Sequence, residues 1–175
     1  MVRLGCWIAA AAALMAAPAG AATLGCDAFK DAMTKHGGDL NATFVRPVVV
    51  SRGGGDSPDT YNLITRARID GALKCRGDAV ASFEARIAMP ADNDLVARFA
   101  DTQKAALMSA LGWPAERAER RVRELAAEAA DYLRGSEERG DVEIAGKVED
   151  HLPGAIDLGL IWTRAERTFI LIRSD

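Results

Sequence analysis

The chain has 175 residues, with 22 basic, 25 acidic and two histidine side chains, and a formal net charge of −3. That length suits one domain with a real hydrophobic core. The mildly acidic balance offers no general electrostatic attraction to nucleic acid or to an anionic lipid surface, so neither is expected as a partner.

Arg3 is the only charge before Asp27, and residues 4–17 form an apolar run that Pro18 ends. A basic start, a short apolar segment and an A-x-A-like site are the layout of a secretory signal. The run falls short of the roughly 20 residues that span a bilayer, and the rest of the sequence holds no longer one. Residues 1–22 are therefore expected to be a signal peptide cleaved after Ala21 or Ala22. Residues 23–175 would form a single α+β domain in the periplasm or outside the cell, with no transmembrane span.

Cleavage removes Cys6 and leaves Cys26 and Cys75. Two cysteines in an oxidising compartment read first as a disulfide, whose loop entropy contributes about 4 kcal/mol at most. The competing reading is a lipid anchor. Thr23-Leu24-Gly25-Cys26 resembles the lipobox of bacterial lipoproteins in its Gly-Cys ending, but Thr23 stands where that motif prefers Leu. Lipidation of Cys26 would also leave Cys75 unpaired, so the disulfide is the favoured expectation and an envelope lipoprotein the alternative.

Residues 26–35 read as a short helix with Phe29 and Met33 on one face, ended by Gly37-Gly38. Residues 43–51 (TFVRPVVVS) read as a strand that Pro47 confines to an edge or a bulge, followed by a loop through Gly53-Gly54-Gly55. Residues 60–69 alternate, with Leu63, Thr65, Ala67 and Ile69 on one face. Asp70-Gly71 then reads as a two-residue hairpin turn, 72–75 as a short strand, and Arg76-Gly77-Asp78 as a second turn. Residues 79–89 are the clearest strand, with Phe83, Ala85 and Ile87 facing in and Ser82, Glu84 and Arg86 facing out.

A helix capped by Asp92 or Asn93 is expected to run to Leu111, with a polar gap at Thr102-Gln103. A second follows the Gly112-Trp113-Pro114 break, from 114 to 134, with Gly135 ending it. Residues 140–148 read as a short strand. Residues 155–163 and 168–172 read as two apolar strands joined by Arg164–Arg167. Strands and helices in separate runs imply an α+β fold: an N-terminal helix, an antiparallel meander, two consecutive helices and a C-terminal hairpin, with helices on one face of the sheet.

The chemistry-bearing residues form no strong motif. Arg52-Gly53-Gly54-Gly55-Asp56-Ser57 has the glycines of a phosphate loop but no Lys-Ser/Thr and no following helix. Asp92-Asn93-Asp94 lacks the glycine and distal Glu of a calcium loop. No serine lies in a G-x-S-x-G elbow. The charge run 116–124 places Glu116–Arg120 and Glu119–Arg123 four apart, as a solvated helix face does. His36 with Asp39, and His151 with Asp150, are the candidate acid–base pairs of a hydrolase or lyase. No zinc spacing accompanies them. No catalytic, cofactor or metal site is assigned. The favoured expectation is a non-enzymatic exported module that binds a protein or a small ligand of the envelope.

Overall fold

The computed structural model describes residues 24–46, 59–140 and 145–174. Helix α1 (Cys26–Gly37) leads through a single 3-10 turn, Gly38–Leu40, into β1 (Thr43–Val45). Strands β2 (Asp59–Ile64), β3 (Asp70–Arg76) and β4 (Ala79–Ala88) form a meander. Helices α2 (Asn93–Leu111) and α3 (Ala115–Arg139) follow. Strands β5 (Ala145–Leu152), β6 (Ile156–Thr163) and β7 (Glu166–Arg173) complete the chain. All seven strands join one antiparallel sheet in the order β1-β2-β3-β4-β7-β6-β5. The two consecutive helices carry the chain across the sheet, so that β7 docks beside β4.

Strand alternation sorts the residues into two faces. Phe83, Ala85 and Ile87 of β4 face Leu171, Phe169 and Arg167 of β7, and the apolar members of this set are buried under the helices. Ser82, Glu84 and Arg86 project from the uncovered face, where Ile172, 47% exposed, also lies. In α1, Phe29 and Met33 are fully buried. The Phe29 ring packs against Phe83 with centroids 5.4 Å apart. The α2 cap forms at Asp92, whose Oδ1 accepts from the Leu95 N–H at 2.8 Å.

Several expectations are corrected. Asp70-Gly71 is not a turn: both residues lie inside β3, paired with Arg86 and Ala85. A Cβ on Gly71 would meet the Glu84 carbonyl at 2.8 Å and the Leu63 side chain at 2.9 Å. The glycine therefore makes room beneath Leu63 instead of supplying a positive φ. Residues 65–69 form the connection, so the alternation read through 69 ends at Ile64. The turn at Gly77 is as expected, with φ +58°. Thr102 and Gln103, the polar gap of α2, are buried, and the Thr102 hydroxyl donates to the Arg98 carbonyl. Gly135 lies within α3. The helix ends at Gly140, whose φ of +69° lets its N–H reach back to the Glu137 and Ser136 carbonyls. Pro114 is the N-cap, so α3 begins at Ala115, one residue later than expected. The readings for residues 47–58, the glycine loop among them, for 1–23, and for the 141–144 part of the expected 140–148 strand lie outside the described residues.

Candidate functional site

Cys26 and Cys75 stand at disulfide distance, with Cα atoms 6.1 Å apart and a sequence separation of 49. Both are buried. The backbone around the pair is tied as well. The Cys26 N–H donates to the Asp78 carbonyl at 2.6 Å, the Val80 N–H donates to the Leu24 carbonyl at 3.0 Å, and Gly25 bridges Ala79. The start of α1 is thus fixed against the turn between β3 and β4.

That fixed segment forms one wall of a cavity of about 510 Å³ between the helical layer and the sheet. Phe29 and Leu24 line it from the α1 side. Cross-strand partners Phe83 and Leu171 form its floor. Ser109 and Leu111 at the end of α2, and Trp113 at the corner, form its roof. Gly112, with φ +62°, turns the chain at that corner. The Pro153-Gly154 turn between β5 and β6 closes the rim beside Ile156. Ala155, next in that turn, sits in the left-handed region at φ +55° and accepts a hydrogen bond from the Ser174 N–H at 2.8 Å. A concave, mainly apolar space of several hundred Å³ with few polar groups is the ordinary form of a small-molecule site.

The polar groups at this cavity are few. The Ser109 hydroxyl is already satisfied by the Ala105 carbonyl at 2.7 Å. Arg173, paired across the sheet with Ile156, is the one charged residue of the lining among the described residues. A neighbouring depression shares Trp113 and Pro153 and is lined by Arg117, Arg120 and Arg121. The Arg117 guanidinium lies 4.1 Å above the Trp113 ring. Arg121 is neutralised by Asp150 at 2.7 Å, with Glu124 and Glu128 nearby.

The candidate acid–base pairs are placed differently from their spacing in sequence. Asp150 and His151 are adjacent in β5 and so project from opposite faces. Asp150 faces the helices and binds Arg121, while His151 faces outward and pairs across the hairpin with Asp157. His151 Nδ1 lies 2.5 Å from Asp157 Oδ1, and the Ser174 hydroxyl donates to the other carboxylate oxygen. The hydrogen bond that its Nδ1–H donates to the Asp157 carboxylate, and then the carboxylate charge, raise the imidazole pKa above its ordinary value. Asp157 is held below its ordinary value, first by Ser174 and then by His151. The order is serine, carboxylate, imidazole. The base therefore does not touch the hydroxyl, as activation of a serine nucleophile requires. The His151 side chain is 91% exposed.

His36 and Asp39 line a small polar depression with Arg98, Asp101 and Lys104. No hydrogen bond or ion pair joins the two. Among the described residues, no group of three His, Cys, Asp or Glu side chains converges on a metal-sized site.

Sequence reasoning did not find the cavity. Its walls come from α1, β4, the α2–α3 corner, the β5–β6 turn and β7, and none of these segments carries a motif. The one available signal was the Gly112-Trp113-Pro114 break, which places an aromatic ring at a corner between two helices. Comparison of the chain with protein families, with curated proteins and with solved structures returned no match, so the reading of this site rests on its own geometry.

Proposed function

We infer that the chain is an exported, non-enzymatic binding module of the periplasm or extracellular space, and that its ligand enters the apolar cavity beside α1. The observation that carries this reading is the cavity itself: about 510 Å³, walled by Phe29, Phe83, Leu111, Trp113, Ile156 and Leu171. Burial of apolar surface there contributes roughly 25 cal/mol per Å² removed from water. Export is supported by the layout of residues 1–22 and by the disulfide-distance pair, because disulfides persist in oxidising compartments. Among the described residues no helix is long and apolar enough to cross a membrane. A Cys26 sulfur bonded to Cys75 cannot carry a thioether-linked lipid, which counts against the lipoprotein alternative. Against the hydrolase or lyase alternative counts the exposed His151, separated by Asp157 from Ser174.

The test of binding is a fluorescence titration of the exported chain with the neutral apolar probe N-phenyl-1-naphthylamine. Emission should rise on binding. Ala110→Trp, which projects a large ring into the cavity from α2, should weaken the probe at least about tenfold, equivalent to 1.4 kcal/mol. A wild-type chain that leaves the probe dark, or equal binding by the well-folded variant, refutes the site. Export is tested separately. N-terminal sequencing of the exported protein should begin at Ala22 or Thr23, and its mass should show no lipid on Cys26.

A further inference from the structure

We propose that the cavity selects an amphiphile: an apolar chain ending in a single anionic head, such as a carboxylate, with Arg173 as the residue that holds the head. This rests on the cavity being the binding site, as argued above, and adds the class of ligand.

Three observations carry it. The lining is apolar apart from Ser109 and Arg173, and Ser109 already donates to Ala105. A purely apolar ligand would leave the Arg173 guanidinium at the wall without a counter-charge. No acidic side chain of the lining answers it, and no ion pair is formed by Arg173 among the described residues. Second, Arg173 lies at the end of β7, opposite Ile156 and beside the β5–β6 turn. It therefore stands at the rim, where a head group would meet water, while Phe83 and Leu171 lie deeper along the strands. Third, the adjoining depression reached past Trp113 and Pro153 brings two more guanidinium groups, Arg117 and Arg120, to this end of the cavity. Arg121 beside them is already paired with Asp150, Glu124 and Glu128. A guanidinium binds a carboxylate with charge-assisted, often bidentate, hydrogen bonds.

The experiment is displacement of N-phenyl-1-naphthylamine from the exported chain by three ligands of equal chain length: dodecanoate, dodecanol and dodecyltrimethylammonium, each below its micelle concentration. Dodecanoate should displace the probe at a concentration about tenfold or more below that of dodecanol, the range expected of one charge-assisted hydrogen-bonded contact. The cationic amphiphile should be weakest. In Arg173→Gln the ratio of dodecanol to dodecanoate should fall toward one. Reading a ratio within each variant cancels any general loss of probe affinity. Arg173→Lys, which keeps the charge, should retain part of the preference and serves if the glutamine variant fails to fold. Equal displacement by acid and alcohol in the wild type, or preference for the cation, overturns the ligand class while leaving the cavity reading in place. So does a preference for the acid that survives in Arg173→Gln. A wild-type chain that binds no probe overturns the cavity reading itself.

Discussion

The two ends of the helix–sheet sandwich differ sharply. At one end α3 lies directly on β5: a Cβ on Gly146 would stand 2.0 Å from the Ala129 carbonyl oxygen. Trp162, next to Gly146 across the pair, is covered by the Arg167 guanidinium 4.0 Å above its ring. Burial there pulls the Arg167 guanidinium below its ordinary value. Arg164 reaches back to Glu137 of α3 at 3.1 Å and ties the loop to the helix. At the other end the same two layers part around about 510 Å³. There the α2–α3 corner, the start of α1 and the β5–β6 turn surround the space without filling it. This space is a half-open recess bounded by the Cys26–Cys75 pair on one side and the β5–β6 turn on the other, and it is where the proposed ligand would sit.

The largest expected effect lies where the two regions share a residue. Phe83 is fully buried and forms both the central core and the cavity floor. Phe83→Ala should cost about 3–5 kcal/mol, whereas its neighbour Glu84, on the uncovered face, should tolerate alanine within about 0.5 kcal/mol. Equal shifts of the two variants in a urea titration would contradict the assignment of faces.

Next comes the staple. Replacing Cys26 and Cys75 together by alanine should lower stability by about 2–4 kcal/mol. It should also weaken probe binding, because Leu24 and Phe29 of the cavity wall lie on the stapled segment. Loss of stability with full probe affinity would separate the staple from the cavity.

The closed end gives the third expectation. Gly146→Ala should destabilise by about 1–3 kcal/mol, because backbone on both sides must move to admit a methyl group. Probe binding at the far end should be retained. A neutral Gly146→Ala would show that the layers are not in close contact there.

The smallest effect is a pH dependence on the uncovered face. His151 has a raised pKa in the folded chain, so its contribution to stability is complete below its ordinary value of 6.5 and is lost as pH rises through the raised value. Asp157 has a lowered pKa, so its contribution is present above its ordinary value of 3.8 and lost as pH falls through the lowered one. His151→Gln should flatten the dependence of melting temperature on pH above the ordinary imidazole value of 6.5. An unchanged slope would mean that the contact with Asp157 does not persist in solution.

Much of the architecture was legible, because it follows from periodicity. The alternation of β4, the Phe29–Met33 face of α1 and the cap at Asp92 each depend on residues close in sequence. That Cys26 and Cys75 stand at disulfide distance was legible from cysteine arithmetic. The failures at Gly71 and Gly135 share a cause: glycine has more than one use, and the sequence does not say which. At Gly71 it makes room for Leu63 and at Gly146 for α3, while at Gly77 and Gly140 it takes a positive φ. The partner of His151 was missed because β5 continues to Leu152, beyond the strand read from sequence. Continuing the alternation through His151 would have sent Asp150 to the opposite face. The cavity was illegible because it is a gap between five segments, and its one charged residue is a lone arginine near the end of a strand.

The central claim is that the open end of the sandwich takes an anionic amphiphile while the closed end does not. The most direct measurement is a map of amide and side-chain chemical shifts of the isotope-labelled chain during titration with dodecanoate. The account predicts saturable shifts at Phe83, Leu111, Trp113, Leu171 and Arg173, with Gly146 and Trp162 unmoved. Shifts centred on Gly146 and Trp162, or none at any residue of the cavity, would contradict it.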